Sequence, residues 1–346
     1  MSYNIDKEYF KSFFSHIVKI PSPTGYYRKL NPMLEQYAAE LGLEMTYDNK
    51  STAYLTVPGE DPSKTVQIAA HADTIGFMVR SIDGDGILRV RNVGGVNYQS
   101  TEGESATVIT RDGRQYTGLI ACQSHSVHVF DDARSSPRDE HTMVVLLDEK
   151  VSSAKAVKEL GIRNGDFVAV QPRCTITENG FIKSRFIDDK AAVAICFTAL
   201  KYLKEQGLKP KYNTIFSFPY GEEIGLGGNY VPAQVSEFIA LDIGLIGPGL
   251  EGNEYSVSIC PKDASVVYDF DLTSHLIDLA EKHGCSYAVD LFKNYGSDAG
   301  VAVKSGNNLR AAVFGMAVHC SHGMERTHMD GIENTAGLLL AYLIEG

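Results

Sequence analysis

Residues 66–73 read VQIAAHAD, and this stretch decides the fold. Its first five residues, 66–70, are almost wholly apolar, which is typical of a β-strand buried on both faces of a parallel sheet. His71 and Asp73 follow that run directly. Because ligands of open α/β sheets gather at the carboxyl ends of the strands, the stretch predicts both a parallel sheet and a site at its edge.

Apolar runs that end in acids or histidines recur along the chain. Residues 214–219 precede Glu222 and Glu223, residues 238–241 precede Asp242, and residues 311–315 precede His319 and His322. Helix-period apolar positions lie between the strand-like runs, over residues 6–20, 27–42, 190–206, 272–283 and 332–344. Strands that alternate with helices predict an α/β fold, with a mainly parallel sheet in an α/β/α domain.

The middle of the chain has a different texture. Residues 153–160 are its one helical stretch, and the rest reads as short strands with Gly, Asp and Asn between them, over residues 87–93, 106–110, 115–120, 143–147 and 167–171. We therefore expect a discontinuous α/β domain (residues 1–73 and 178–346) with a small β-rich, barrel-like domain inserted at residues 74–177. Residues 124–141, which are rich in histidines and acids, fit either a surface loop or a wall of a substrate entrance.

Composition excludes several classes of function. The net charge of -11 repels a phosphate backbone, so we expect no nucleic-acid partner. No apolar stretch approaches the roughly 20 residues that span a bilayer, and the N-terminus lacks the features of a secretory signal. The six cysteines are scattered, which favours free thiols in a reducing compartment. These features together predict a cytoplasmic protein with no membrane partner.

Carboxylates at the ends of core strands need a stabilising partner, and a metal ion supplies one. Histidine and carboxylate ligands without cysteine suit zinc, cobalt or manganese. Two metal ions that share one bridging carboxylate need about five protein ligands when water fills the other positions. The candidate residues are His71, Asp73, Asp188, Asp189, Glu222, Glu223, Asp242 and the late histidines His319 and His322.

Asp73 and the adjacent pair Glu222 and Glu223 suggest roles in catalysis. Asp73 lies two residues beyond His71, close enough to accept the second N–H of the imidazole and so to orient it. Glu222 and Glu223 are adjacent in a glycine-rich stretch, so one can bind metal while the other acts as a base. Their adjacency argues against a glycosidase, whose two carboxyls flank the sugar.

The order of these residues resembles the co-catalytic metallopeptidases. More closely, it resembles the glutamyl/deblocking aminopeptidase family, whose members build hollow tetrahedral dodecamers. The resemblance covers nearly the whole chain and is strongest in AHADTIGFMVRSID, VRNVGG, FIDDKAAVA, GEEIGLGG, ALDIG and YGSDAG. Related deacetylase-like enzymes carry their extra domain between Asp242 and His322, an interval that is too short here, whereas the interval between His71 and Asp188 has room for one.

The resemblance implies a role for each candidate residue. Asp188 bridges two divalent metal ions, with zinc favoured and cobalt or manganese compatible. One ion is completed by His71 and Asp242, and the other by Glu223 and His322. Glu222 is the general base, Asp73 orients His71, and the peptide bond between Asp188 and Asp189 is cis. The implied substrates are peptides with a free N-terminus, and the inserted domain makes dimers that assemble into a homo-oligomeric dodecamer.

Two points depart from the family pattern or stay open. In place of the usual Arg-Tyr-x-His-Ser, residues 317–328 read AVHCSHGMERTH, which contains His319, His322 and His328. His322 is favoured because Glu325 then falls near the glutamate that follows in the family, while His319 and His328 remain alternatives. On the same site, hydrolysis of N-acyl amides or capped dipeptides is an alternative function. A non-catalytic binding or shell protein is an alternative of another class.

Overall fold

The computed structural model describes residues 3–346. Its α-helices are α1 (Lys7–Ile17), α2 (Leu30–Glu40), α3 (Ala154–Glu159), α4 (Ile187–Gln206), α5 (Phe270–His283), α6 (Asp298–Lys304) and α7 (Met329–Glu345). Its β-strands are β1 (Met45–Tyr47), β2 (Ala53–Val57), β3 (Asp61–Ala69), β4 (Gly76–Ile82), β5 (Leu88–Val93), β6 (Ser105–Ile109), β7 (Gln115–Cys122), β8 (Met143–Leu147), β9 (Phe167–Val170), β10 (Thr175–Ile176), β11 (Phe181–Ser184), β12 (Tyr212–Phe218), β13 (Val235–Leu241), β14 (Gly244–Leu245), β15 (Val257–Lys262), β16 (Tyr287–Leu291), β17 (Arg310–Val318) and β18 (Glu325–His328). Within this range no helix combines the length and apolarity that a bilayer span requires.

The central sheet has the strand order β1-β2-β12-β3-β13-β17-β15-β16, with β14 beside the end of β17. Its four middle strands, β12, β3, β13 and β17, are mutually parallel, and antiparallel pairs flank them on both sides. Parallel neighbours place their carboxyl ends at one edge of the sheet. The predicted fold class, α/β with a mainly parallel sheet, is therefore confirmed, and the four apolar runs singled out in the sequence end side by side.

Side chains of the middle strands alternate between two apolar layers, as the period of a β-strand requires. In β13, Ile239 and Leu241 join a large core that also contains buried residues of α1, α2, α4, α5 and α7. Phe238 and Ala240 join a smaller core on the opposite face, with Ala299 of α6. The helical layers are thus unequal, and the thin one, with the short α6, lies on the side where a cleft opens.

Strands β4, β5, β8, β7, β6 and β9 form a closed antiparallel barrel. Closure leaves no free sheet edge, and it explains why six short strands suffice for a stable unit. Alternate residues fill the interior, for example Phe77 and Val79 of β4 and Val168 of β9. Strand β4 was not predicted, although Phe77, Met78 and Val79 form a continuous apolar run.

A small third sheet, β10-β11-β18, joins the approach to α4 to the segment after β17. In its register Ser184 pairs with Glu325. This pairing brings the chain around Glu325 next to the start of α4, where Asp188 and Asp189 have non-helical backbone and are joined by a cis peptide bond. Regular helix then runs from Lys190 to the left-handed Gly207, which ends it as predicted.

Candidate metal centre

The carboxyl ends of the middle strands meet the start of α4 in one cluster. His71 and Asp73 follow β3, Glu222 and Glu223 follow β12, Asp242 follows β13, and His322 follows β17. A cleft of about 620 Å³ opens over them, and its lining includes Asp188, Glu222, Glu223, Asp242 and His322. All the residues proposed from the sequence as ligands or base therefore lie at or beside one cleft.

The carboxylate of Asp188 lies between two imidazoles. Its Oδ1 is 3.0 Å from Nε2 of His71, and its Oδ2 is 3.5 Å from Nε2 of His322. Oε2 of Glu223 is also 3.5 Å from Nε2 of His322. Each oxygen of one carboxylate thus faces a different imidazole nitrogen, which is the arrangement that a carboxylate shared between two cations needs.

Two sets of ligand atoms lie close enough together to hold an ion. One set is His71, Asp188 and Glu223, and the other is His71, Asp189 and Asp242; within each set the atoms lie within 4.8 Å of one another. Asp189 was among the candidate residues of the sequence, but the family resemblance assigned it no role as a ligand. Its Oδ2 accepts the backbone N–H of His71, and its Oδ1 has no hydrogen-bond partner among residues 3–346.

Both imidazoles are oriented by backbone carbonyls. Nδ1 of His71 lies 3.0 Å from the carbonyl oxygen of Asp73, and Nδ1 of His322 lies 2.8 Å from that of Gly95. When Nδ1 donates its proton to a carbonyl, the neutral ring keeps an unprotonated Nε2. In both residues that nitrogen faces Asp188, so the rings have the orientation in which a neutral imidazole would bind a metal ion through Nε2.

Asp73 lies beside His71 as expected, but the atom nearest the ring is its backbone carbonyl oxygen and not its carboxylate. Its carboxylate Oδ1 is 3.5 Å from Nδ1 of His71, farther than its own carbonyl oxygen. The carboxylate instead accepts the backbone N–H groups of Glu222 and Glu223, at 3.2 and 3.3 Å. The two glutamates begin a short 3₁₀ turn that ends at the left-handed Gly225, and Asp73 holds the start of that turn.

His322 depends on two partners that the sequence did not reveal. Gly95, in the connection that leaves β5 of the barrel, lies so close that a Cβ there would be 2.9 Å from Nδ1 of His322. Glu325 accepts the backbone N–H of His322 with one oxygen and that of Asp188 with the other. The stretch VRNVGG and the glutamate after the late histidines were the available signals, but neither indicates which atom is bound.

The two other late histidines are engaged elsewhere. The backbone of His319 pairs with that of Arg326. The ring of His328 donates to the carbonyl of Asn179 and accepts the N–H of Asp330, where it caps α7. Of the three, His322 is the one whose ring reaches Asp188 and Glu223.

The cluster carries more negative charge than its neighbours neutralise. Burial raises the pKa of Glu223 to about 8 and that of Asp242 to about 7, and it raises the pKa of Glu222 well above its usual value. Burial also acts to raise the pKa of Asp188, but hydrogen bonds to His322 and His71 outweigh it and lower that pKa. Burial would lower the pKa of His322, yet Asp188 and Glu223 raise it to about 10.

A divalent cation would fit this cluster. Among residues 3–346, no lysine or arginine nitrogen lies within 4.0 Å of its carboxylate oxygens, and their ion-pair partners are the two imidazoles. Buried carboxylates without a cationic partner are unstable as anions. The donor set of imidazole nitrogens and carboxylate oxygens suits a borderline-to-hard divalent ion.

The rest of the cleft is lined by both apolar and polar residues. Away from the acids it is lined by Ile243, Leu245 and Val301 and by the polar residues Ser265, Asn294 and Lys304. Residues 124–141, which the structure describes in full, do not line it; they connect β7 to β8 and are mostly exposed. Within one chain this segment is therefore a surface loop and not a wall of the cleft.

Comparison with known proteins agrees with this architecture. The M42 glutamyl aminopeptidase family matches residues 52–338. The putative aminopeptidase YhfE of Bacillus subtilis (strain 168) is 42% identical over 328 residues, which cover 94% of this chain and 95% of that protein.

Two solved structures share the fold. A TET aminopeptidase from a marine sediment archaeon of the Thaumarchaeota superposes with a TM-score of 0.87 at 20% identity, over 97% of this chain and 96% of that one. The TET1 peptidase of Pyrococcus horikoshii, which assembles into a tetrahedron or a large octahedral shell, superposes with a TM-score of 0.84 at 21% identity, over 97% and 100% of the two chains. With the family match over most of the chain and a relative at 42% identity, the resemblance found in the motifs is confirmed: the chain belongs to the M42 glutamyl aminopeptidase family and is a metal-dependent aminopeptidase.

Proposed function

We propose that this aminopeptidase releases the N-terminal residue of peptides at a pair of divalent metal ions held by His71, Asp188, Glu223, Asp242 and His322. One observation carries the proposal: the two oxygens of Asp188 face Nε2 of His71 and Nε2 of His322, at 3.0 and 3.5 Å. A carboxylate that presents one oxygen to each of two imidazoles suits a bridging ligand.

The remaining ligands divide between the two ions. His71 and Asp242 would hold one of them, as the family resemblance implies, and their ligand atoms belong to one set of converging atoms; His71 also shares the other set with Glu223. Glu223 and His322 would hold the other, since their ligand atoms are 3.5 Å apart. Imidazole and carboxylate ligands without thiolate suit zinc, cobalt and manganese. Among these we favour zinc, which the family resemblance implies, and keep cobalt and manganese as alternatives.

The metal ions, when bound, supply Lewis acidity to the scissile carbonyl and lower the pKa of water. The chain supplies the proton transfer. Glu222 lines the cleft with a side chain that is 14% exposed, and its Oε2 lies 3.7 Å from Nε2 of His71. We assign it as the general base that accepts a proton from the attacking water and returns it to the departing amine.

The acidic end of the cleft also accounts for exopeptidase action. A free α-ammonium group is attracted to the excess of buried carboxylates there, whereas an N-acyl cap removes that charge. This difference favours peptides with a free N-terminus over the N-acyl amides or capped dipeptides that the same site could otherwise hydrolyse.

We further propose that residues 74–177 form a dimerisation domain and that the protein acts in the cytoplasm as a homo-oligomer. The archaeal TET1 peptidase of the same fold assembles into closed shells, which supports a dodecamer here. All six cysteines are free, which suits a reducing compartment.

Glu222→Gln should retain its metal but lower kcat by a factor of about 10² or more, because the amide cannot accept a proton. Activity is measured on aminoacyl-anilides, with N-acetylated amides as comparison substrates, and metal content by elemental analysis. Glu223→Gln is the matched control and should lose metal together with activity. Near-normal activity of Glu222→Gln, or preferential cleavage of the acetylated substrates by the wild type, would contradict the proposal.

His322→Gln should remove one of the two bound ions from each chain, because Glu223 then loses its partner ligand. His319→Gln and His328→Gln should keep both ions, since the ring of His328 binds Asn179 and Asp330, and the ring of His319 makes no ion pair with the carboxylates of the cluster among residues 3–346. The measurement is elemental analysis of the three variants after gel filtration. A normal metal content in His322→Gln would show that another residue is the last ligand.

Zinc should raise the melting temperature more at pH 8 than at pH 6. Without metal, the pKa values of Asp242 and Glu223, about 7 and about 8, lie above the 3.8 and 4.5 of free side chains, so the folded protein keeps protons that the unfolded chain has released. Its stability therefore falls as pH rises through this range. Metal binding needs deprotonated ligands and strengthens over the same range.

The test compares thermal unfolding of chelator-treated and zinc-loaded protein at the two pH values. Groups outside the centre titrate equally in both samples, so the difference between the samples isolates the ligands. A zinc effect that is the same or smaller at pH 8 would contradict metal binding by these carboxylates.

Sedimentation velocity at micromolar concentration should show a closed assembly of twelve chains. The fold is shared over 97% of this chain with a shell-forming relative, which motivates the expectation. A monomer under these conditions would rule out the assembly and leave residues 74–177 without the proposed role.

A further inference from the structure

The segment Pro21-Ser-Pro-Thr-Gly25, which separates α1 from α2, crosses the edge of the sheet where the acids lie. The hydroxyl of Ser22 donates to the carbonyl of Ala72 at 2.8 Å. The N–H of Thr24 donates to the carbonyl of Thr74, and that of Gly25 to the carbonyl of Tyr220. The segment thus joins the ends of β3 and β12, the two strands that carry His71 and the glutamate pair.

The side chain of Thr24 goes further than these backbone links. Its hydroxyl donates to Oδ2 of Asp73 at 2.7 Å. Both residues are buried, Asp73 completely. The same Oδ2 accepts the N–H of Glu223 at 3.3 Å, and Oδ1 accepts the N–H of Glu222 at 3.2 Å. One carboxylate therefore connects the threonine hydroxyl to the backbone of both glutamates.

We propose that Thr24 is a positioning residue for Glu222 and Glu223 and acts through the carboxylate of Asp73. The inference rests on the roles assigned above to the two glutamates. A carboxylate can rotate about the bond to its Cβ, and the hydrogen bond with the best geometry has the largest share in setting its plane. The bond from Thr24, at 2.7 Å, has the ordinary length of an O–H···O bond. The two amide bonds, at 3.2 and 3.3 Å, are at or beyond the long end of the N–H···O range, so the threonine sets the plane to which the amides of the turn attach.

The consequence lies in the direction of the two glutamate side chains. Glu222 and Glu223 start a turn of only three residues, so a small rotation of their peptide groups redirects both carboxylates. Without the hydroxyl, Oδ2 of Asp73 keeps a single donor, the longer amide bond from Glu223. The turn would then lose its fixed start, and a misdirected base or ligand loses rate even though it is present.

Ser22 is a matched control within the same segment. Its hydroxyl makes a hydrogen bond of nearly the same length to the same end of β3, but the acceptor is the backbone carbonyl of Ala72 and not a carboxylate that holds the turn. Ser22→Ala therefore removes a buried hydroxyl and one link of the segment, and it leaves the connection from Thr24 through Asp73 intact.

The experiment compares Thr24→Val, Thr24→Ser and Ser22→Ala in the full-length protein. It measures kcat and KM on an aminoacyl-anilide, zinc affinity by competition with a chelator in the absence of substrate, and thermal unfolding. Thr24→Val should lower kcat and weaken zinc binding by about 10- to 100-fold each, the usual scale for losing a residue that orients a metal site. KM should stay close to that of the wild type.

The serine variant restores the hydroxyl and should recover most of both losses, while Ser22→Ala should keep its kcat and zinc affinity even if its melting temperature falls. If Thr24→Val proves unstable, Thr24→Ala gives the same comparison without a methyl group against the carboxylate. Equal losses in Ser22→Ala and Thr24→Val, or unchanged zinc affinity and kcat in Thr24→Val, would overturn the inference.

The result is separable from the proposed function. Zinc affinity is read without substrate, so it judges Thr24 even if the wild type fails to cleave peptides. Conversely, a wild type that cleaves peptides with an unaffected Thr24→Val variant would reject the positioning role and leave the peptidase assignment standing.

Discussion

The candidate metal centre is arranged around one buried carboxylate, and the elements that carry its residues meet there. Asp188 lies between the Nε2 atoms of His71 and His322, and each of those rings has its Nδ1 beside a backbone carbonyl. The surrounding acids have no lysine or arginine within ion-pair distance among residues 3–346. Buried carboxylates of this kind are unfavourable as anions without a cation and become favourable when cations bind between them. The electrostatics of the site therefore favour metal binding.

Geometry rather than local sequence brings the cluster together. Four parallel strands end at one edge, and each delivers one or two of the acids or imidazoles from a separate part of the chain. The barrel then contributes a contact from outside that sheet, because the carbonyl of Gly95 orients His322. The barrel and the α/β sheet therefore meet at the site. The orientation of the His322 ring depends on the position of the barrel segment that contains Gly95.

Two buried carboxylates outside the proposed ligand set hold the backbone of the candidate ligands and base. Glu325 holds the backbone of Asp188 and His322, and Asp73 holds the backbone of Glu222 and Glu223. Both carboxylates act on N–H groups and not on the side chains that face the cleft. Because Asp73 holds the backbone of the turn, the side chains of Glu222 and Glu223 are held in different directions. The two adjacent glutamates can therefore take the different roles proposed for them.

Local patterns in the sequence were sufficient for the parallel middle of the sheet and for the edge at which the candidate residues lie. Apolar runs predicted strands β3, β12, β13 and β17, because burial on both faces demands continuous apolar residues, and the acids and histidines after those runs indicated the shared edge. The edge strand β16 was not predicted, because its exposed residues give it no continuous apolar run. What the tertiary structure alone decided was which atoms meet: which late histidine faces Asp188, that the carbonyl of Asp73 rather than its carboxylate lies nearest Nδ1 of His71, and that Thr24 contacts Asp73 and Gly95 contacts His322. Periodicity is a property of neighbouring residues, whereas these contacts join atoms far apart in the chain, and only the packing of complete elements brings such atoms within hydrogen-bond distance.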